Sequence, residues 1–155
     1  MTKVLDNAYI GLLARIVLGA LFIVASIDKL SDPIAFAASI GAYKLLPHTI
    51  TFVIATVLPW MEFICGACLV LGLLRRGAGL LLFGLLVVFT VAVIAALVRG
   101  LDISCGCFTQ DPDAAKVGWW KIIENVGLTC LSLLVTLAQN SWLSIDNVIN
   151  RRVST

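Results

Sequence analysis

Residues 77–98 read GAGLLLFGLLVVFTVAVIAALV, an apolar run without a charged side chain. At a helical rise of about 1.5 Å per residue, this run is long enough to cross the roughly 30 Å hydrocarbon core of a bilayer. We expect a helix, because an open strand would leave its backbone polar groups unpaired in lipid. The run therefore predicts a transmembrane helix, and with it an integral membrane protein.

Three further apolar runs occur along the chain, at about residues 8–27, 49–74 and 121–142. Of the 155 residues, 61% are hydrophobic and only 13% are charged, and the mean hydropathy is +1.06. Such values exclude a soluble globular protein and a disordered one. We therefore predict an all-α fold in which residues 1–155 form a single membrane domain, a four-helix bundle with four spans.

The formal net charge is only +2 and the charged residues are scattered, so the chain is not expected to bind nucleic acid. The sequence also contains none of the short motifs of serine hydrolases, zinc proteases, phosphate-binding loops or dinucleotide-binding folds. Neither hydrolysis nor nucleotide chemistry is therefore predicted.

The connections between the spans predict a short helix and a membrane orientation. Asp32 before Pro33 is typical of a helix start, here a short helix along the membrane interface between spans one and two. The longest polar stretch is residues 99–120, between spans three and four. Lys and Arg residues divide almost evenly between the two sides, but the short turn at Arg75 and Arg76 favours the cytoplasm for that turn and for both termini. Residues 99–120 would then face outward.

Cys65 and Cys68 form a C-x-x-C motif within the second apolar run. Residues at i and i+3 share a helix face, so the two sulfurs can meet and form a redox pair. Pro59 cannot donate a backbone hydrogen bond and is expected to kink or loosen the helix before the motif. The alternative is that both cysteines are small apolar packing residues, as buried free cysteines often are.

Cys105 and Cys107 form a second pair, C-x-C, in the polar stretch. A disulfide between them closes a small strained ring, and strain raises the reduction potential and makes the bond ready to exchange. Gly106 removes the steric barrier to such a turn. Two alternatives stay open for this pair: a soft-metal site, since two thiolates suit Cu(I), Zn or Hg, and an inert pair.

Together the two pairs predict a relay that passes two electrons from a water-side partner to a lipid-side acceptor by disulfide exchange. By residue count, Cys65 lies roughly 18 to 24 Å below the outer surface. Contact with Cys105 therefore requires the loop to descend, or the second span to be tilted or broken at Pro59. Cys130 in the fourth run is either a relay thiol between the pairs or a packing residue.

Glu62 and Arg15 are ionisable residues deep in apolar runs. Such groups are costly in a membrane and are candidate functional residues, so we expect a salt bridge between them that joins spans one and two. Glu62 also precedes Cys65 by three residues on the same helix face, where it can take a proton from Cys65 or deliver one to a reduced acceptor. Asp28 and Lys29 are interpreted as interfacial charges.

Several of these segments resemble a known family. The segments RIVLGALF at 15–22 and IDKL at 27–30 are similar to the opening of the DoxX family of four-helix membrane proteins. LPWME at 58–62 looks like that family's second helix. CGCF at 105–108, after the third run, resembles the methylamine-utilisation branch of the family, MauE.

This resemblance implies a role in maturing a disulfide-rich periplasmic dehydrogenase subunit, alongside a thioredoxin-like partner. It also implies a likeness to the vitamin K epoxide reductase architecture, where a helix C-x-x-C reacts with a quinone and loop cysteines shuttle electrons. Cys65 and Cys68 would then be the membrane redox centre, and Cys105 and Cys107 the shuttle. The chain would lie in the bacterial inner membrane, with its Cys105 and Cys107 loop in the periplasm.

The leading hypothesis is therefore a quinone-linked thiol-disulfide oxidoreductase that supports disulfide formation or maturation of periplasmic proteins. Glu62 and Arg15 would shape its embedded site, and no metal cofactor is predicted. One alternative is a soft-metal binding or transport protein for Cu or Hg that uses the thiols as stepping stones. Another is a non-catalytic DoxX-like subunit of a redox complex. The direction of electron flow depends on the reduction potentials, which the residues do not give.

Overall fold

The structure, a computed structural model, describes residues 8–45, 47–101 and 119–137. Over these ranges it contains α1 (Ala8–Ser31), α2 (Pro33–Ala42), α3 (His48–Leu71), α4 (Arg75–Val98) and α5 (Trp119–Leu137). The same ranges contain no strand. Because α1, α3 and α4 each include a stretch long and apolar enough to cross a membrane, the prediction of an all-α membrane protein is confirmed.

The fourth predicted span corresponds to α5, which is apolar from Ile122 to Leu137. Residues 138–142 of that span lie outside the described part of the chain, so the complete four-span bundle stays a prediction. Among the described helices, the most extensive contacts join α1 to α3 and α4 to α5. Smaller contacts join α3 to α4 and α1 to α5, so each of these four helices packs against two of the other three.

The short helix α2 forms as its sequence predicts. Asp32 is its N-cap, and its Oδ1 accepts a hydrogen bond from the backbone N–H of Ala35 at 2.9 Å. Pro33 occupies the first helical position, where a missing N–H costs nothing. Phe36 is buried, and α2 packs mainly on α3.

The turn between α3 and α4 is short, as predicted, but it lies at residues 72–74, and Arg75 and Arg76, which were expected to form it, begin α4. Gly72 ends α3 in the left-handed region, with φ at 74°, where glycine has no steric penalty. The N–H of Leu73 donates to the carbonyl of Cys68 at 2.9 Å, which satisfies a carbonyl at the helix end. Leu74 is also left-handed, with φ at 46°, and α4 begins at the next residue.

α1 and α3 make their closest approach at two glycines. A Cβ atom on Gly19 would lie 2.8 Å from the carbonyl oxygen of Gly66, and one on Gly66 would lie 2.9 Å from the carbonyl oxygen of Gly19. Only a residue without a Cβ allows backbones to pack this closely. Gly66 lies between Cys65 and Cys68, so the crossing of α1 and α3 is centred on the C-x-x-C motif.

The outward faces of the helices are apolar, as expected for surfaces in contact with lipid. On α1, exposed Leu13, Val17, Leu21 and Val24 recur at intervals of three and four residues. This stripe lies on a different side of α1 from the buried Leu18 and Phe22, which face the other helices. Lipid acyl chains therefore cover one side of α1, and the other helices cover its opposite side.

Candidate functional site

Cys65 and Cys68 lie in the C-terminal half of α3, and helix runs unbroken through both. The sequence prediction that they share a helix face is therefore confirmed. Cys65 is buried in a core cluster with residues of α1 and α4, including Leu18 and Leu82, and Cys68 packs against the same cluster. Both are free thiols. Cys65 thus lies in the protein interior, and Cys68 is partly buried beside it.

A buried ion pair lies one helical turn before Cys65. Glu62 is 6% exposed, and Lys29 Nζ donates to both of its carboxylate oxygens, at 2.6 and 2.9 Å. The same ammonium lies 5.2 Å from the centroid of the Phe36 ring, within the range of a cation–π contact. Three helices therefore meet around one pair of mutually compensated charges. Lys29 is not the interfacial charge expected from its sequence position, because α1 continues through it to Ser31.

The predicted partner of Glu62, Arg15, lies elsewhere. α1 and α3 run antiparallel and cross at Gly19 and Gly66, so Glu62 lies on the Lys29 side of the crossing. Arg15 is buried on the opposite side, near the turn between α3 and α4. The predicted salt bridge between Arg15 and Glu62 is therefore wrong. Residue count places both at a similar depth, but only the register of the two helices decides which cation faces the carboxylate.

Beyond the ion pair, side chains from all five helices surround a cavity of about 440 Å³. This volume is in the range of small-molecule binding pockets. Its walls are almost entirely apolar, and the few polar side chains on them are those of Lys29, Glu62, Ser39, Tyr43 and Asn125. Phe22 and Leu86 belong both to the wall and to the cluster that buries Cys65. The cavity wall and the cluster that buries Cys65 are therefore continuous.

The cavity opens on the side of α4. Val88 and Val91 line it, yet they are 69% and 60% exposed. Because α4 is long enough to span the membrane, this mouth faces the surface that lipid covers. An apolar molecule dissolved in the bilayer can therefore enter the cavity between these side chains.

α2 closes the end of the cavity that is far from Cys65. Tyr43, at the C-terminal end of α2, is buried, and its ring meets that of Phe89 edge-on, with centroids 6.3 Å apart and planes at 67°. Arg99 Nη1 donates to the Tyr43 carbonyl at 3.1 Å. This hydrogen bond ties α2 to the end of α4.

The docking of α2 can be tested through the ionisation of Tyr43. Burial raises the pKa of Tyr43 to about 12. The chain has two tyrosines, so in a Tyr9→Phe variant Tyr43 is the one that remains. We expect its phenolate absorbance to appear near pH 12 in the folded protein and near pH 10 in the unfolded chain. The unfolded state loses this proton first, so the stability contributed by Tyr43 should fall between about pH 10 and 12. A folded-state midpoint near 10 would contradict the docked position of α2.

Asn125 is a candidate functional residue that no motif marks. It lies on the buried face of α5 with Ser132 and Val135, and it is 2% exposed. Its Nδ2 has no hydrogen-bond partner among the described residues, and the side chain lines the cavity. The sequence contains only a weak indication of this role. Asn125 is a single amide in an apolar run, and it lies at helical spacing from a second polar residue, Ser132.

Cys130 lies apart from Cys65, and whether it lies between the two cysteine pairs involves residues outside the described part of the chain. It is exposed on α5, on the face opposite the one that Asn125, Ser132 and Val135 bury. Neither the cavity nor the cluster around Cys65 includes it. The structure thus separates this thiol from Cys65.

Cys105 and Cys107 fall within residues 102–118, outside the described part of the chain. Their distance from Cys65 is therefore limited only by the length of chain that links them to Leu101. Leu101 folds back on the end of α4, with its N–H donating to the Ala96 carbonyl at 3.0 Å. From there a fully extended chain reaches Cys107 after at most about 21 Å, and Cys105 after about 14 Å. No group of three His, Cys, Asp or Glu side chains that could hold a metal occurs within the described ranges.

The distance from the end of α4 to the level of Cys65 is larger than the length of extended chain between Leu101 and Cys105. Leu82 packs in the Cys65 cluster, and about 24 Å of helix separates it from Val98, at about 1.5 Å per residue. The Cα atoms of a disulfide lie about 6 Å apart. By this count Cys107 is within reach of Cys65 only when the chain from Leu101 is nearly extended, and Cys105 falls about 4 Å short. The α3 helix offers no other route, because it is unbroken at Pro59.

Comparison with known proteins identifies similar chains in one family. The sequence model described as methylamine utilisation protein MauE matches residues 7–138 and so covers every described helix. The methylamine utilization protein MauE of Methylophilus methylotrophus is 26% identical over 99% of this chain and 83% of its own length. The proteins of the same name from Paracoccus denitrificans and Paracoccus versutus are 33% and 32% identical, over 78% and 86% of this chain and 65% and 72% of their own lengths. No solved structure matches the chain.

Proposed function

Because the chain belongs to the MauE family of methylamine utilisation proteins and is a membrane protein, we propose that it is the thiol-disulfide oxidoreductase of such a system. It would relay electrons between a periplasmic thioredoxin-like partner and a membrane quinone, and so support disulfide formation or maturation of periplasmic proteins. In this proposal the chain lies in the bacterial inner membrane, with its termini in the cytoplasm and Cys105 and Cys107 on the periplasmic side.

The observation that carries this proposal is the position of Cys65. Its thiol is buried next to one end of an apolar cavity that opens toward lipid, and Cys68 lies on the same helix face. A packing role explains a buried cysteine, but it does not explain a second thiol at i+3 beside a cavity of ligand size. A lipophilic electron acceptor needs such a cavity, and a dithiol beside it supplies the electrons.

The proposed relay consists of two disulfide exchanges. A thiol of the partner attacks the Cys105–Cys107 disulfide, and its second thiol resolves the mixed disulfide, so the partner leaves oxidised and both loop cysteines become thiols. Cys107 then attacks the Cys65–Cys68 disulfide, and Cys105 resolves the new bond, which leaves Cys65 and Cys68 as thiols. Their return to a disulfide releases two electrons and two protons, which convert a quinone to a quinol. The reverse sequence delivers reductant outward, and the reduction potentials set the direction.

The protons of the last step need an acceptor inside the protein. Glu62 lies one helical turn from Cys65 and lines the cavity, so its carboxylate is near both the thiol and the ligand space. Lys29 donates to both of its oxygens and keeps that carboxylate in place. We therefore assign Glu62 as the group that passes a proton from Cys65 toward the cavity.

The reach of Cys107 imposes an order on these events. A loop segment that brings Cys107 to Cys65 must fill the cavity, which a quinone also needs. Exchange with the loop and reaction with a quinone therefore alternate, as in a ping-pong mechanism.

Disulfide trapping tests the relay. In a Cys68→Ser, Cys105→Ser double variant neither cysteine pair can close on itself, so with diamide as the two-electron oxidant we expect a bond between Cys65 and Cys107 in most of the molecules, detected by mass spectrometry of non-reduced peptides. Adding Cys65→Ser provides the matched control and should remove that peptide.

Two results would contradict the proposal. One is a folded double variant that forms no bond between Cys65 and Cys107. The other is a Cys65→Ser variant that still supports methylamine-dependent growth at the wild-type rate, which is the result expected of a non-catalytic subunit. Stoichiometric binding of Cu(I) or Hg(II) without thiol oxidation would instead favour a soft-metal protein.

A further inference from the structure

We propose that Asn125 recognises the ligand of the cavity, and that this ligand has a neutral head group with a carbonyl oxygen. In taking a quinone as the ligand class we rely on the proposed function. The assignment of Asn125 itself depends on the cavity and its polar groups, whichever reaction the cysteines perform.

The amide of Asn125 lacks the hydrogen bond that a buried donor normally has. Its Nδ2 is buried without a partner among the described residues, and the side chain lines the cavity. Burying an unpaired N–H is unfavourable, and native structures usually satisfy such a group with protein, water or ligand. An acceptor atom inside the cavity would satisfy it.

Three other polar side chains on the cavity wall already have partners. Lys29 and Glu62 bind each other through two hydrogen bonds. The hydroxyl of Ser39 donates to the Ala35 carbonyl at 3.0 Å. Among the described lining residues, Nδ2 of Asn125 is thus a donor that stays available for a ligand.

The charges around the cavity determine the class of ligand. Glu62 neutralises Lys29, so these two lining residues add no net charge to the walls. An anionic head group, such as a fatty-acid carboxylate or a lipid phosphate, would be buried here without a counter-ion, which is strongly unfavourable. A neutral carbonyl avoids that penalty and accepts from the Asn125 amide. The apolar walls and the mouth at Val88 and Val91 then suit the rest of a lipophilic molecule.

The test is a binding measurement on the full chain in lipid nanodiscs. Ubiquinone-1 is the probe, Asn125→Leu removes the donor at similar volume, and isothermal titration calorimetry gives Kd. We expect the variant to bind about 3- to 10-fold more weakly, as for the loss of one hydrogen bond. Ser132→Ala is the matched control: Ser132 is also buried on α5, but it donates to the Gly79 carbonyl and not to the cavity, so Kd should not change.

A spectroscopic measurement separates recognition from a general loss of structure. The infrared carbonyl band of ¹³C-labelled ubiquinone-1 should shift to lower frequency on binding to the wild-type chain, and this shift should disappear in Asn125→Leu. An Ala92→Leu variant, which fills the cavity from α4, should lose most of its binding. Oleate should bind neither the wild-type chain nor the Asn125 variant in this cavity.

The outcomes distinguish the assignment of Asn125 from the relay. Equal Kd values and an unchanged carbonyl band in folded Asn125→Leu would overturn the assignment, even if the bond between Cys65 and Cys107 is trapped. Weaker binding and a lost band shift would support it, even if no such bond forms. Undiminished binding in Ala92→Leu would place the ligand elsewhere and overturn it as well.

Discussion

Replacing Glu62 with alanine should lower the free energy of unfolding by about 3 to 5 kcal/mol, the usual range when one partner of a buried ion pair is removed. The variant leaves the Lys29 ammonium inside the protein, 6% exposed, without the two carboxylate oxygens that now bind it. The contact with the Phe36 ring is too weak to replace them. Unfolding of the purified protein in detergent, followed by circular dichroism, measures the effect.

Two further variants distinguish the cost of burying an unpaired charge from the effect of removing a charge. A Lys29→Met, Glu62→Leu double variant removes both charges, so it should recover most of the lost stability and stay close to the wild type. Glu124→Gln removes an exposed carboxylate on α5 and should change the stability by about 1 kcal/mol or less. A Glu62→Ala variant as stable as Glu124→Gln would show that Lys29 and Glu62 are not buried together.

Replacing Gly66 with valine should lower the stability by about 3 kcal/mol, the upper part of the range for overpacking. A single Cβ at this position would already lie 2.9 Å from a backbone oxygen of α1 and 3.1 Å from a side-chain carbon of Ile23. Backbone atoms cannot move aside as a flexible side chain does, so α1 and α3 must separate. The separation should also expose Cys65 and Cys68 to lipid-soluble maleimides, and faster labelling of these thiols is a second measurement.

Gly84 supplies the control for this variant. It lies in the middle of α4, and a Cβ added there would meet nothing within 4 Å. Gly84→Ala should therefore stabilise the protein by about 0.5 to 1 kcal/mol, the helix preference of alanine over glycine. Equal effects at Gly66 and Gly84 would contradict the close crossing of α1 and α3.

The helices themselves could be predicted from the sequence, because a membrane-spanning helix requires a continuous run of apolar residues. Residues 77–98 contain no charge, and the structure makes them part of α4. The Asp32–Pro33 pair predicted the start of α2, since a cap and a proline act within one turn. In the same way, i and i+3 spacing placed Cys65 and Cys68 on one face of α3.

How the helices face one another could not be predicted from the sequence. The pairing of Glu62 with Lys29 depends on the register of α1 against α3. The close contact of Gly19 and Gly66 sets that register, and counting residues along each helix does not reveal it. Asn125 was missed for the same reason, because one amide in an apolar run becomes informative only when the structure shows a cavity in front of it. The reach of Cys107 likewise depends on where α4 ends and on how Leu101 folds back.

The hydrogen bond from Arg99 to the Tyr43 carbonyl couples the end of α4 to the short helix that closes the cavity. Arg99 directly follows α4, at the start of the segment that leads to Cys105, while Tyr43 belongs to the short helix over the cavity. A change in the last turn of α4 that displaces Arg99 therefore also removes a contact that fixes the C-terminal end of α2. How firmly α2 covers the cavity thus depends on the end of α4 as well as on α2 itself.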